Sequence, residues 1–159
     1  MRVLGIDPGY DRLGLAVLEG DPSHPSVVWS DCVSPAKGTS ESRLAAVYAA
    51  VSSAILQYAP EKLSLETLFF STNKKTALFV AEARGAILAA AGAHSIFVAE
   101  YSPAQVKLAV TGHGAADKRA IAQMIPHLVT LSVRARLDDE LDAIAVAIAG
   151  LADRSHQTH

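Results

Sequence analysis

Three short strand-like stretches crowd the first 33 residues, and no other feature limits the fold of this chain so strongly. Val3 to Asp7, Leu13 to Glu19 and Val27 to Val33 are rich in Val, Leu and Ile, and Gly, Pro or Asp turn signals bound each of them. The chain therefore opens as a meander. Apolar spacing then changes: Leu44, Val47, Val51 and Ile55 recur every three or four residues and predict a helix over Arg43 to Tyr58. Thr39, Ser40 and Glu41 supply capping chemistry before it, and Pro60 ends it. Lys62 to Phe69 returns to strand, Lys75 to Gly92 is an alanine-rich helix, and Ser95 to Tyr101 is another strand. The order βββαβαβ predicts an α/β domain, a mixed sheet covered by helices.

The remaining third of the chain reads as helical. Pro103 suits the first turn of a helix reaching about Val110, and Asp117 to Leu131 makes a further helix that Pro126 is expected to kink. Asp139 to Ala152 alternates small and large residues as a strand face would. Its alanine content, its length and the acids at its start decide for helix. Residues 1–153 are expected to form one domain, with 154–159 a polar, frayed tail.

Charge or glycine is expected to break the apolar runs before the roughly 20 residues of a membrane span, so neither a transmembrane helix nor a signal peptide is predicted. The single cysteine, Cys32, has no partner for an internal disulfide, and no zinc-type Cys/His spacing occurs, which suits the cytoplasm. The net charge of -2 is unevenly spread. Residues 1–71 hold 5 Lys/Arg against 8 Asp/Glu, residues 72–136 hold 8 against 3, and residues 137–159 hold 1 against 5. A basic block between acidic segments suits an enzyme that neutralises a polyanion in one place and cuts it in another; helices with solvated charged faces give the same counts.

Three acidic positions stand out. Asp7 ends a buried strand in Leu4-Gly5-Ile6-Asp7-Pro8-Gly9, where it is either a turn aspartate or an exposed functional group. Glu66 interrupts an apolar stretch and must sit at the strand's open end, pair with a base or ligate a cation, because an unpaired buried charge is costly. In Asp138-Asp139-Glu140-Leu141-Asp142, helical spacing lets either Asp138 or Asp139 accompany Asp142. Acids in a first helical turn also satisfy free N–H groups, but Asp142 lies one turn in, among Ala, Ile, Val and Leu. Converging carboxylates need a divalent cation between them, and hard oxygen ligands suit Mg2+ or Mn2+; two ions about 4 Å apart can hydrolyse a phosphodiester.

Four segments together resemble the RuvC family of Holliday-junction resolvases: residues 4–9, Leu65-Glu66 followed by Phe69, Ser102-Pro103-Ala104-Gln105-Val106-Lys107, and Asp139-Glu140-Leu141-Asp142-Ala143-Ile144-Ala145. The resemblance spans about residues 1–152 and implies a ribonuclease H-like mixed five-stranded sheet. It implies a metal-dependent endonuclease that resolves four-way DNA junctions in recombination and repair, with Asp7, Glu66, Asp139 and Asp142 as catalytic metal ligands binding two ions. The family's D-x-x-D pattern favours Asp139 over Asp138, which is left as a capping residue. The same resemblance assigns Lys107 and Lys118 to the scissile phosphate and Phe69 to an aromatic wedge against unstacked bases. A core aromatic is the other reading, and with Phe70 adjacent the sequence leaves open which of the two faces DNA. Gly112-His113-Gly114 reads as a loop beside the site, with no family motif behind His113. It also implies a homodimer, with the RuvA and RuvB branch-migration proteins as partners. Ala77, Ala81, Gly85 and Ala89 would permit close approach of their helix to the sheet or to a partner. The rival readings are an RNA nuclease of the YqgF type, a non-catalytic junction-binding module, and half of an actin-like kinase, which the length disfavours.

Overall fold

The computed structural model describes residues 1–67 and 74–153. The elements run in the order β1 (Arg2–Asp7), β2 (Leu13–Glu19), β3 (Ser26–Val33), α1 (Ser40–Tyr58), β4 (Lys62–Glu66), α2 (Lys74–Ala93), β5 (Phe97–Tyr101), α3 (Pro103–Thr111), α4 (Lys118–Leu128) and α5 (Asp138–Ala152). The five strands form one sheet in the order β3-β2-β1-β4-β5. The meander pairs antiparallel, whereas β4 and β5 join β1 in parallel after helical crossovers. This is the mixed, helix-covered sheet that the element order predicts, in the ribonuclease H-like form that the resemblance implies.

Two apolar layers sandwich the sheet. Alternate residues of β1, Leu4 and Ile6, point with Leu13, Leu15 and Leu65 towards α1 and α2. Val3, Ala16 and Leu18 point the other way, towards α3, α4 and α5. Strand alternation explains the division, and Val47, Val51 and Ile55 of α1 are buried as their spacing predicts. α1 begins three residues earlier than expected, and Arg43 is buried rather than at an exposed helix start. Its guanidinium donates to Tyr10 O and Asp11 Oδ1, both at 2.8 Å, and lies 4.2 Å from the Tyr10 ring centre, pinning the turn after β1.

Helix α5 lies closest to the sheet. A Cβ at Gly5 would collide with Ala143 O and Ala147 of α5, and one at Gly14 would collide with Asp139 O. The alternation of small and large residues that leaves this segment ambiguous in sequence is the signature of that contact: Ala143, Ala145, Ala147 and Ala149 are all buried with Ile144, Val146 and Ile148 between them. Nearly every residue is inside, as in a helix covered on most of its surface.

Several boundaries differ from the sequence expectation. β4 ends at Glu66; Thr67 is no longer strand, and the rest of the expected continuation, to Phe69, lies with Phe70 outside the described residues. β5 starts at Phe97, because Ser95 adopts a positive φ of 53° in the turn leaving α2. α4 ends at Leu128, two residues past Pro126, so the proline stands in its last turn. The expectation that charge or glycine breaks every long apolar run fails at α2. Thr76–Ala93 is long and apolar enough by composition to cross a membrane, and 22% of it is buried. Its sole charges, Glu82 and Arg84, do not break the run, and Arg84 pairs with Glu100 on β5. Ala83, Ile87, Ala90 and Ala91 face the core, whereas Gly85 has nothing within 4 Å of a Cβ and Ala89 is exposed. Ala77 and Ala81 are half-buried, so it is the second half of the small-residue stripe that turns away from the sheet.

Gly14→Ala should lower the melting temperature markedly, because overpacking a fixed backbone contact costs about 1–3 kcal/mol or more. Gly92→Ala, on the open surface of α2, should be neutral or stabilising by up to about 1 kcal/mol. Equal melting of the two variants would show that α5 does not press on the sheet.

Candidate active site

Parallel strands β1 and β4 end side by side, with Ile6 opposite Leu65, so the next residues on each, Asp7 and Glu66, emerge at one edge of the sheet. α5 begins over the same edge, and its first turns present Asp139 and Asp142 there. Local rules place each acid at an element end. Only the sheet order and the glycine contacts bring them together.

Asp7, Glu66, Asp142, Lys107 and Lys118 line one cleft of about 240 Å³ with Pro103, Val106, Ile121 and Ala145. Asp139 stands at its flank. Burial and then the charges of Asp142, Glu66 and Asp139 push Asp7 up from 3.8 to about 7, with Lys118 opposing. Glu66 is likewise raised, by burial and by Asp142, against Lys118 and Lys107. Lys118 Nζ lies 2.9 Å from Asp142 Oδ2, and this hydrogen bond with its attraction raises the lysine pKa. Arg12 Nη1 lies 3.4 Å from Asp139 Oδ2. Two of the four acids thus already hold a protein cation, and among the described residues no three acidic, His or Cys side chains are drawn around a common point that could hold a metal ion. The acids still outnumber the two paired cations. An all-oxygen donor set carrying this much unneutralised charge fits a hard divalent ion, once Lys118 and Arg12 yield Asp142 and Asp139.

The lysines owe their places to helix starts. Ser102 Oγ accepts from Gln105 N at 3.2 Å while Gln105 Oε1 accepts from Ser102 N at 2.8 Å, a capping box with Pro103 in the first turn. The Ser-Pro-x-Gln pattern is therefore a helix start, and it sets Lys107 one turn further along, in the cleft. Gly112 ends α3 with φ 73°, and Asp117 Oδ1 accepts from Ala120 N at 2.8 Å to start α4 with Lys118 in its first position. His113 is exposed and does not line the cleft.

The capping role expected for Asp138 is corrected. The N-cap of α5 is Leu137, and Glu140, not Asp138, turns its carboxylate back to Leu137 N at 3.4 Å. Glu140 is buried and also accepts from Ser30 Oγ at 2.9 Å and Arg134 Nη2 at 2.6 Å. Burial works to raise its pKa, but the bonds from Arg134, Ser30 and Leu137 prevail and hold it low. Sequence reasoning does not single out Arg12 or Glu140. Arg12 lies five residues from Asp7, but nothing in its neighbours shows that it turns towards Asp139. Phe69 lies outside the described residues.

A mixed sheet of this order, with acids from two strand ends and one helix gathered beside lysines, defines a nuclease of the ribonuclease H-like class. Residues 3–150 match the family model of the crossover junction endodeoxyribonuclease RuvC. The chain belongs to that family. It is 38% identical over 152 residues to the RuvC of Syntrophomonas wolfei, covering 95% of this chain and 88% of the relative. It is 42% identical over 149 residues to that of Moorella thermoacetica, covering 93% and 89%. The structure of Thermus thermophilus RuvC in complex with Holliday junction substrate is similar with a TM-score of 0.88 at 32% identity, over 94% of this chain and 92% of that one.

Because Asp7 keeps its proton to about pH 7 in the fold but loses it near 3.8 in an unfolded chain, its stabilising contribution is fully present below the lower value. It is lost as pH rises through the higher one. In chelator, the melting temperature of the wild type should fall between pH 4 and 8 more steeply than that of Asp7→Asn. Mg2+ at pH 8 should raise the wild type by several degrees and the variant much less. Parallel pH profiles would contradict the proton assignment.

Proposed function

We propose that this protein is a structure-specific endonuclease that cuts four-way DNA junctions by hydrolysing phosphodiesters over the Asp7, Glu66, Asp139 and Asp142 cluster. The observation that carries the reading is the convergence of four acids and two lysines at one edge of the sheet. The Thermus thermophilus relative, solved with Holliday junction substrate, supports the choice of DNA structure. The four acids would hold Mg2+ or Mn2+, two ions in a full site, and the bound ions would supply a more acidic water and charge neutralisation at the phosphoryl oxygens.

The chain's own residues provide the rest. Lys107 and Lys118 bring positive charge to the edge where phosphate must lie, and each lowers the hold of Glu66 on its proton. Lys118 bonds Asp142 in this structure and can exchange that carboxylate for a phosphate oxygen. Pro103, Val106, Ile121 and Ala145 form the apolar side of the cleft, which limits water there and strengthens each electrostatic contact. Phe69 is proposed, from sequence alone, as the residue that stacks on opened bases.

A four-way junction has two strands to cut, so two copies of the site are needed, and a two-fold homodimer supplies them. The outward face of α2 supports such an interface: Gly85 and Ala89 are uncovered, and Leu78 is 61% exposed. RuvA and RuvB remain proposed partners, and the cytoplasm the proposed compartment.

Asp7→Asn, Glu66→Gln, Asp139→Asn and Asp142→Asn should each abolish cleavage of a synthetic junction in Mg2+ while keeping junction affinity within a few fold, and Asp138→Asn should cut nearly normally. Linear duplex and structured RNA, assayed alongside, should be poor substrates. Preferred cleavage of RNA, or normal cutting by Asp142→Asn, would refute the reading. Gly85→Arg should give a folded monomer by light scattering that binds the junction weakly; an intact dimer would move the interface elsewhere.

A further inference from the structure

Arg12, Arg134 and Arg136 stand on the β3 side of the acids, away from Lys107 and Lys118, and none of the three takes part in the proposed hydrolysis. They are anchored in different ways. Arg134 Nη2 donates to Glu140 at 2.6 Å and to both the carbonyl and the hydroxyl of Ser30 at 2.8 Å. It neutralises a buried acid, and its removal would leave that acid unpaired. Arg136 donates only to uncharged groups: Nε to Ser30 Oγ at 3.3 Å, Nη1 to Ser132 O at 3.0 Å and Nη2 to Ser132 Oγ at 2.9 Å. Each of its terminal nitrogens keeps a second N–H for another acceptor.

Arg12 is tied only loosely. Its side chain is 56% exposed, and its 3.4 Å contact with Asp139 is at the outer limit of a hydrogen bond. The Cys32 thiol on β3 feels both groups, Asp139 raising its pKa after burial and Arg12 lowering it, which puts Arg12 on the β3 flank. On the same flank an open cleft of about 400 Å³ is lined by Ser30, Asp31, Ser132, Arg134 and Arg136 with residues 27–29. Asp31 there accepts from the Cys32 N–H at 2.8 Å. Burial and the adjacent Arg134 lower the Arg136 pKa, with Glu140 opposing, so an anion in this cleft would relieve repulsion between two guanidinium groups.

A DNA backbone whose scissile phosphate lies over the acids continues past them in both directions, and its phosphates need neutralising on both flanks. We propose that Arg12 and Arg136 are DNA-positioning residues that take backbone phosphates on the β3 flank, opposite Lys107 and Lys118, while Arg134 holds the surface that carries them. This rests on the reading of the chain as a junction nuclease.

The test is the salt dependence of equilibrium binding to a fluorescent four-way junction, with melting of each variant measured in parallel. Arg12→Ala and Arg136→Ala should each weaken binding several-fold and flatten the slope of log affinity against log salt by about one, and the double variant by about two. Lysine at either position should restore the slope. Arg136→Gln, whose amide nitrogen takes the place of Nε beside Ser30 Oγ but carries no charge, serves if the alanine variant unfolds. Arg134→Ala should instead melt at lower temperature with its slope unchanged. Wild-type slopes in folded Arg12 and Arg136 variants, beside a wild type that binds and cuts the junction, would overturn this inference alone. A wild type that fails to bind the junction would overturn the resolvase reading and this inference with it.

Discussion

Helix α5 presses backbone to backbone against the centre of the sheet, and this contact governs where the other elements and the acids can stand. Gly5 on β1 and Gly14 on β2 leave no side chain between strand and helix, and the alanines of α5 fill the remaining space. Close packing of this kind tolerates little error, because an interior behaves as a crystal and not as oil. The same contact sets the height and rotation of the helix's first turns. Asp139 and Asp142 consequently stand over the ends of β1 and β4, and not beside them. The tail of the helix is fixed too: the buried Lys62 donates to Asp153 O at 3.0 Å, and Tyr101 OH donates to Asp153 Oδ2 at 2.9 Å.

That placement costs stability locally. Four acids share one edge, and the burial and mutual repulsion that hold Asp7 protonated to about pH 7 are unfavourable for the ionised fold. Lys118 and Arg12 offset part of this. Neither contact is strong in free-energy terms, since both cations are more than half exposed. A site that is poorly neutralised by its own protein is one that a cation or a substrate-bound cation can complete, which is how a functional site departs from local consistency.

The start of helix α5 shows how support and chemistry are divided. Glu140 faces inward to Ser30, Arg134 and the Leu137 N–H, while Asp139 and Asp142 face the cleft side. Neighbouring acids in one turn therefore do opposite work: one locks the helix to β3 through a nearly complete set of hydrogen bonds, and the others are left under-satisfied. The basic block of the sequence is split in the same way between Lys107 and Lys118 on one flank and Arg134 and Arg136 on the other.

Much is legible in the chain because the signals are local. Strand alternation, the Ser-Pro-x-Gln helix start, the turn after Asp7 and the positions of the acids at element ends follow from backbone sterics, hydrogen bonding within a few residues, and the burial of apolar faces. So does the choice of helix for α5, from its alanines. Hidden from the sequence are the contacts between distant segments. Arg12 reaches across to Asp139, Arg43 reaches from within α1 to hold the turn at Tyr10, Glu140 replaces Asp138 as the capping acid, and Gly85 and Ala89 of α2 turn outward. Each depends on how far apart two packed elements settle and how they are rotated, quantities set by the summed packing of the whole core. Which residues stand at the ends of elements can be read along the chain, but which of those ends meet depends on packing, because the close seating of α5 on Gly5 and Gly14 brings charges from three elements to one edge.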